Sequence, residues 1–249
     1  MKILLDLFDT NYTAFKKTNK LIGEHHLLMY VGLIYGPLVF ATSYLGSMLP
    51  LFGLIVTLLG YALVLSNYFY LIDRATSGYK TEWDDVKNGF TVYMRKIFGI
   101  MFIFWVANLL IQLLVVPLVS GFIGFALSLL FMIACFVVFN ALPEVTYKKH
   151  HSEMDSVKYS MSFVKVNLLE WYVPNILLFA ANYFIYQGLM IGFSKVFVNL
   201  PSAVAQSLSI VVLIVVLQFT LGYTMIYRGL LFSRLDSTTR QKRMFQRGK

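Results

Sequence analysis

Residues 25–72 form 48 consecutive positions without an acidic residue, lysine or arginine, and residues 97–143 form another 47. A helix crossing the hydrocarbon core of a bilayer needs about 20 residues, so each run is long enough for two crossings. A third apolar region runs from Trp171 to Tyr227 and contains one charge, Lys195, followed shortly by Pro201. Soluble domains carry about a quarter of their residues as charges; here 13% are charged and 58% hydrophobic. That balance excludes a soluble globular enzyme and a disordered chain. A disulfide scaffold is excluded as well, because Cys135 is the single cysteine.

Each long run is interrupted near its middle by a turn signal. Ser47-Met48-Leu49-Pro50 divides the first, Pro117 with Gly121 the second, and Lys195 with Pro201 the third. Proline suits such tips because it ends a helix and has no N–H to leave unsatisfied in lipid. The expected fold is an all-α integral membrane protein with six transmembrane helices in three hairpins. The spans lie near 26–46, 50–72, 97–117, 121–143, 171–192 and 206–228. The first follows a mixed-charge segment and runs directly into a second, so it is read as a retained span and not as a signal peptide.

Lysine and arginine set the orientation. Residues 1–25 carry four, 73–96 five, 144–170 four and the stretch from Arg228 onward seven, against Lys195 alone in the three tight turns. This asymmetry predicts both termini and both long connections in the cytoplasm. The net charge of +9 is therefore a topology signal, and nucleic-acid binding is not inferred from it. The basic tail, 233–249, is expected to be a solvated cytoplasmic segment.

The long connections resemble one another. Thr81-Glu82-Trp83-Asp84-Asp85-Val86-Lys87 aligns with Ser152-Glu153-Met154-Asp155-Ser156-Val157-Lys158, each with a hydroxyl residue three places before an aspartate, the spacing of a helix-capping box. Apolar residues then recur at Trp83, Val86, Phe90, Tyr93 and Ile97, and at Met154, Val157, Met161, Val164 and Leu168. This spacing places each set on one helical face. Leu5, Phe8, Tyr12 and Phe15 repeat the pattern beside Lys16 and Lys17. One polytopic domain, 1–232, is thus read as three repeat-like units, about 1–73, 74–144 and 145–232. Each unit is a short amphipathic helix followed by a hairpin. Such helices meet anionic headgroups through Trp83, Lys87 and Lys158, or else pack on the ends of neighbouring spans.

The span interiors contain no ionisable residue, the usual mark of an intramembrane functional site. Phosphate-cradling, dinucleotide-binding and HExxH or CxxC patterns are absent from the sequence. No catalytic residue, metal ligand or cofactor is expected. His25-His26 and His150-His151 are adjacent pairs whose members point about 100° apart on a helix, a poor chelating geometry. The span amides include Asn67, Asn175 and Gln187, and above all Asn108, Gln112, Asn140, Asn182 and Gln218. They have two readings, interhelical hydrogen bonds or the lining of a permeation path. Gly32 with Gly36, and Ser120, Gly124 and Ser128, form small-residue stripes suited to close helix packing. Pro37 and Pro174 are expected to kink their helices.

Ala141-Leu142-Pro143-Glu144-Val145, Asp155-Ser156-Val157-Lys158-Tyr159-Ser160 and Val164-Lys165-Val166-Asn167 resemble a broad group of uncharacterised bacterial multi-pass proteins. That group includes the membrane region attached to some glycerophosphodiester phosphodiesterases. The similarity covers about 30 residues and centres on an amphipathic segment ahead of a hairpin. Ser156-Val157 stands where alanine-leucine is usual and Val166 where glycine is common. The resemblance implies the architecture and, with no phosphodiesterase domain in these residues, carries over no catalytic group.

The function expected from these features is a non-enzymatic accessory or scaffold component of a membrane complex, with lipid and a protein as its partners. A permease for a small or amphipathic solute is the alternative, and a lipid-acting membrane enzyme stands third.

Overall fold

The computed structural model describes residues 2–50, 52–115, 117, 121–196 and 202–238. The expectations for Ser120, Pro201 and the tail beyond residue 238 fall outside the described residues, as does that for the side chain of Leu5. Every described secondary-structure element is helical. In order they are α1 (Lys2–Glu24), α2 (Leu27–Tyr30), α3 (Gly32–Ser47), α4 (Gly53–Thr76), α5 (Trp83–Asn88) and α6 (Met94–Leu110), which runs into a π-helical turn, Ile111–Val115. Then come α7 (Phe122–Val138), α8 (Leu142–Lys148), α9 (Glu153–Val166), α10 (Leu168–Val196) and α11 (Ser202–Ser237).

Five stretches are long and apolar enough to cross a membrane: Leu27–Ser47, Gly53–Thr76, Met94–Leu114, Leu168–Phe193 and Ser207–Ser237. They coincide with five of the six expected spans. The fourth span differs, because α7 and α8 form a broken pair bent by 42°. The cause is local. Pro143 lies in the first turn of α8, and its ring would collide with the Phe139 carbonyl if α7 continued. That carbonyl instead accepts from the Leu142 N–H at 2.9 Å. Pro37 and Pro174 lie inside α3 and α10, which continue through them.

The chain divides into two compact units. The first comprises Met1–Leu38, Leu71–Trp83 and Leu168–Lys249. In it α1, α2 and α10 all pack on α11. At 1.5 Å per residue the 36 residues of α11 extend about 54 Å, well beyond one bilayer core. Its buried part is the C-terminal half, from Gln218 to Leu235. There Phe232 meets Trp171 edge-on, with ring centroids 6.3 Å apart, and the Arg228 guanidinium lies over the same indole at 5.0 Å.

The second unit comprises Val39–Tyr70 and Asp84–Asn167. Within it α9 packs on α8, α6 and α7. Ile100, Leu142 and Val157 form its apolar cluster, flanked by Phe104 and Phe139. The α3–α4 hairpin closes through glycine. A β-carbon on Gly53 would overlap the Gly46 carbonyl oxygen, so the two backbones approach to a distance that other residues forbid.

In the first unit the buried side chains of α10 gather toward its charged end. Among the described residues of α10, those fully buried stop at Asn175, and on α7 only Gly124 is buried. Beyond these points large apolar side chains stand exposed, among them Phe122, Phe125, Phe136, Phe179 and Phe184.

The connecting helices are unequal. The first is α1, 23 residues long and not the short helix expected; α5 has six residues and α9 fourteen. Ser152 caps α9 as its sequence predicts, with its hydroxyl accepting from the Asp155 N–H at 3.3 Å and donating to the Asp155 carboxylate at 2.7 Å. In the other copy the Thr81 hydroxyl is engaged elsewhere, 3.1 Å from Nδ1 of His25.

Candidate functional site

Helix α1 has three faces. Thr10, Ala14, Thr18 and Leu21, at i, i+4, i+8 and i+11, are buried, and α1 makes its main contacts with α11. Small side chains there allow close approach. Asp9, Lys16, Lys17 and Lys20 lie on an exposed polar face. The aromatic stripe sits about a third of a turn from the buried stripe. Phe8, Tyr12 and Phe15 are 66%, 56% and 48% exposed. The stripe read from the sequence as the apolar face is therefore not the main packing face, although Phe15 meets Tyr223 of α11 edge-on with ring centroids 6.2 Å apart.

Because α1 and α10 both pack on α11, the first unit contains a groove of about 750 Å³. Phe8, Tyr12 and Phe15 line one side, Pro174 and Leu177 the other, and Tyr227 of α11 also contributes. Of the polar side chains here, those of Asn11 and Tyr227 are already engaged. The Tyr227 hydroxyl donates to the Asn11 side-chain oxygen. The Asn11 amide nitrogen donates to the Leu7 carbonyl at 2.6 Å. What the groove offers an occupant is thus almost wholly apolar, and its volume falls within the range of about 300–1,000 Å³ common for ligand pockets.

The amides singled out by sequence do not converge on this groove. Gln218 donates to the Leu28 carbonyl at 3.0 Å and Asn182 to the Thr224 hydroxyl at 3.0 Å, both in the first unit. In the second unit Gln112, in the π-helical turn, lies 3.4 Å from the Ser128 hydroxyl. Asn108 is exposed near the end of α6, and Asn140 is half-buried at the α7–α8 break. Asn67 and Asn175 bond backbone carbonyls, of Val86 at 2.5 Å and Trp171 at 2.6 Å. Gln187 reaches the Tyr183 hydroxyl at 2.8 Å.

Of the packing glycines, Gly32 abuts Gln218, Gly124 is buried, and Gly36 has nothing within 4 Å of an added β-carbon. Trp83, Lys87 and Lys158 are exposed, with Lys87 paired to Asp84 at 3.0 Å.

Buried ionisable groups at the helix ends escaped the sequence reading. Glu144 is 0% exposed, and Asp85 and Glu170 are also buried. Counting charges marks where a span ends and does not tell which end is covered by a neighbouring helix. Lys96 serves structure: its ammonium donates to the carbonyls of Thr146 at 3.0 Å and Lys149 at 2.8 Å, neutralising the C-terminal end of α8. His25, between α1 and α2, is buried against Thr81. Burial holds its imidazole below its ordinary pKa, the Glu24 carboxylate opposing and His26 adding to the shift. Among the described residues no cluster of three histidine, cysteine or acidic side chains could hold a metal ion. Comparison with protein-family models, with curated proteins and with solved structures finds no match to this chain.

Proposed function

We propose that this protein is a non-enzymatic multi-pass component of a bacterial cytoplasmic membrane, with both termini on the cytoplasmic side, and that it serves as an accessory or scaffold subunit of a membrane complex. One observation carries the reading. The most apolar eighteen-residue stretch of Leu168–Phe193 has none of its residues buried within the chain. A helix that is apolar all round needs an apolar surrounding, and in a bilayer that surrounding is lipid or another protein's helices. The pairwise bonding of Gln218 and Asn182 supports a packing role for the span amides. The excess of lysine and arginine on the connections and termini supports the orientation. The resemblance of 141–167 to bacterial multi-pass proteins supports the cellular setting.

The test is purification of the full chain from native membranes in a lipid-preserving polymer, followed by mass spectrometry. A second protein in stoichiometric amount is expected, and its identity names the process. A homogeneous single-chain particle overturns the subunit reading and favours a permease. Leucine at Asn108, Gln112 and Asn182 then tests the permease directly, since loss of solute flux at unchanged expression requires a polar path.

A further inference from the structure

We propose that the groove between α1 and α10 binds one acyl chain of an anionic phospholipid, an assignment that rests on the membrane setting above. Three observations choose this occupant. First, the polar atoms of Asn11 and Tyr227 are satisfied by one another and by the Leu7 carbonyl. An extended peptide or a sugar entering the groove would have to leave water with little beyond the Tyr12 hydroxyl to replace it, whereas a hydrocarbon chain has no such requirement.

Second, the groove is continuous with an exposed apolar face. Leu177 lines it and is 66% exposed, and Ile176 and Phe179 beside it on α10 are exposed too. A chain in the groove therefore extends from lipid already in contact with α10. Third, the aromatic side of the groove leads into cations on the same helix. Lys16 and Lys20 lie one and two turns beyond Tyr12, both exposed, with Lys20 also 4.0 Å from the Glu24 carboxylate. The Lys16 ammonium attracts a headgroup phosphate at about 1 kcal/mol per charge near the surface, while the Tyr12 ring suits the boundary between headgroup and tail. Helix α1 thus divides its labour: the face of Thr10, Ala14 and Thr18 holds it to α11, and the adjacent face receives lipid.

The full chain is reconstituted in vesicles of phosphatidylcholine and phosphatidylglycerol containing a trace of phosphatidylglycerol with a diazirine in its tail. After irradiation, labelled peptides are mapped by mass spectrometry. Labelling concentrated at residues 8–15 and 173–178, and displaced by unlabelled phosphatidylglycerol, is the expected result. Replacing Phe8 and Tyr12 by serine removes two apolar walls without touching the buried face of α1. It should lower that labelling about tenfold while leaving the remainder of α10 labelled as before.

Labelling spread evenly over the exposed spans overturns the groove and leaves membrane embedding intact. No labelling on any apolar helix overturns both. Equal labelling by a tail-diazirine phosphatidylcholine overturns the preference for an anionic lipid, and a co-purifying polypeptide cross-linked at 8–15 overturns lipid as the occupant. The competition measurement on the unaltered chain decides the matter even if the double variant does not fold.

Discussion

A β-carbon on Gly32 would stand 2.7 Å from Oε1 of Gln218, and the amide nitrogen of the same Gln218 donates to the Leu28 carbonyl at 3.0 Å. One glycine thus makes room for one interhelical hydrogen bond. Gly32→Ala should displace the amide and cost about 1 kcal/mol, the scale of such bonds within membranes. Gly36→Ala meets nothing within 4 Å and should be neutral or gain a few tenths of a kcal/mol, since alanine loses less chain entropy than glycine. Thermal unfolding of both variants in one detergent checks the contrast, and equal losses would contradict it.

Ser152 both accepts from and donates to Asp155. Ser152→Ala should therefore destabilise α9 by about 1 kcal/mol, and Ser152→Asp should recover most of the loss. Amide exchange at Asp155 is the direct readout, with faster exchange in the alanine variant alone.

Lys96 holds two carbonyls near the end of α8. Lys96→Met keeps the apolar stem and removes the donors, leaving those carbonyls without their cation. A loss of about 1–3 kcal/mol is expected, together with faster amide exchange in the last turn of α8. Unchanged exchange there would show that water serves the carbonyls equally well.

His25 should make stability depend on pH. Its folded-state pKa lies below the ordinary value of 6.5 because burial disfavours the imidazolium. Acidification therefore protonates the unfolded chain first, and stability rises with pH in this window. The contribution is whole above about pH 6.5 and is lost as pH falls below it. The expected outcome is a steeper loss between about pH 7 and 5 in the native chain than in His25→Gln, measured by thermal unfolding at constant ionic strength. Parallel curves would remove His25 from the account.

Several of these relationships are legible in the sequence. The charge-free runs located five of the helices able to cross a membrane, because a bilayer admits apolar side chains and excludes charged ones over a length that counting can measure. The Ser152–Asp155 box was legible because a cap is a contact between residues three apart. The α7–α8 break was harder to see. Pro143 stood in plain view, but an uncharged run continues through it, and hydropathy has no information about a ring meeting the Phe139 carbonyl.

Apolar periodicity identified α1 as amphipathic and pointed to Phe8, Tyr12 and Phe15. Which face packs was beyond its reach, because Thr10 and Thr18 register as weakly polar and Ala14 as only weakly apolar when their advantage is small size. Size matters only once α11 lies alongside. The same holds for Gly32 and Gly36, which are equivalent in sequence and separate only because Gln218, nearly two hundred residues away, arrives at one of them. Local composition and spacing thus determine which segments are helical and which are apolar enough for lipid. The choice of buried face, the engagement of His25 with Thr81 and the groove beside Tyr227 depend on residues distant in the chain, and so belong to the tertiary structure alone.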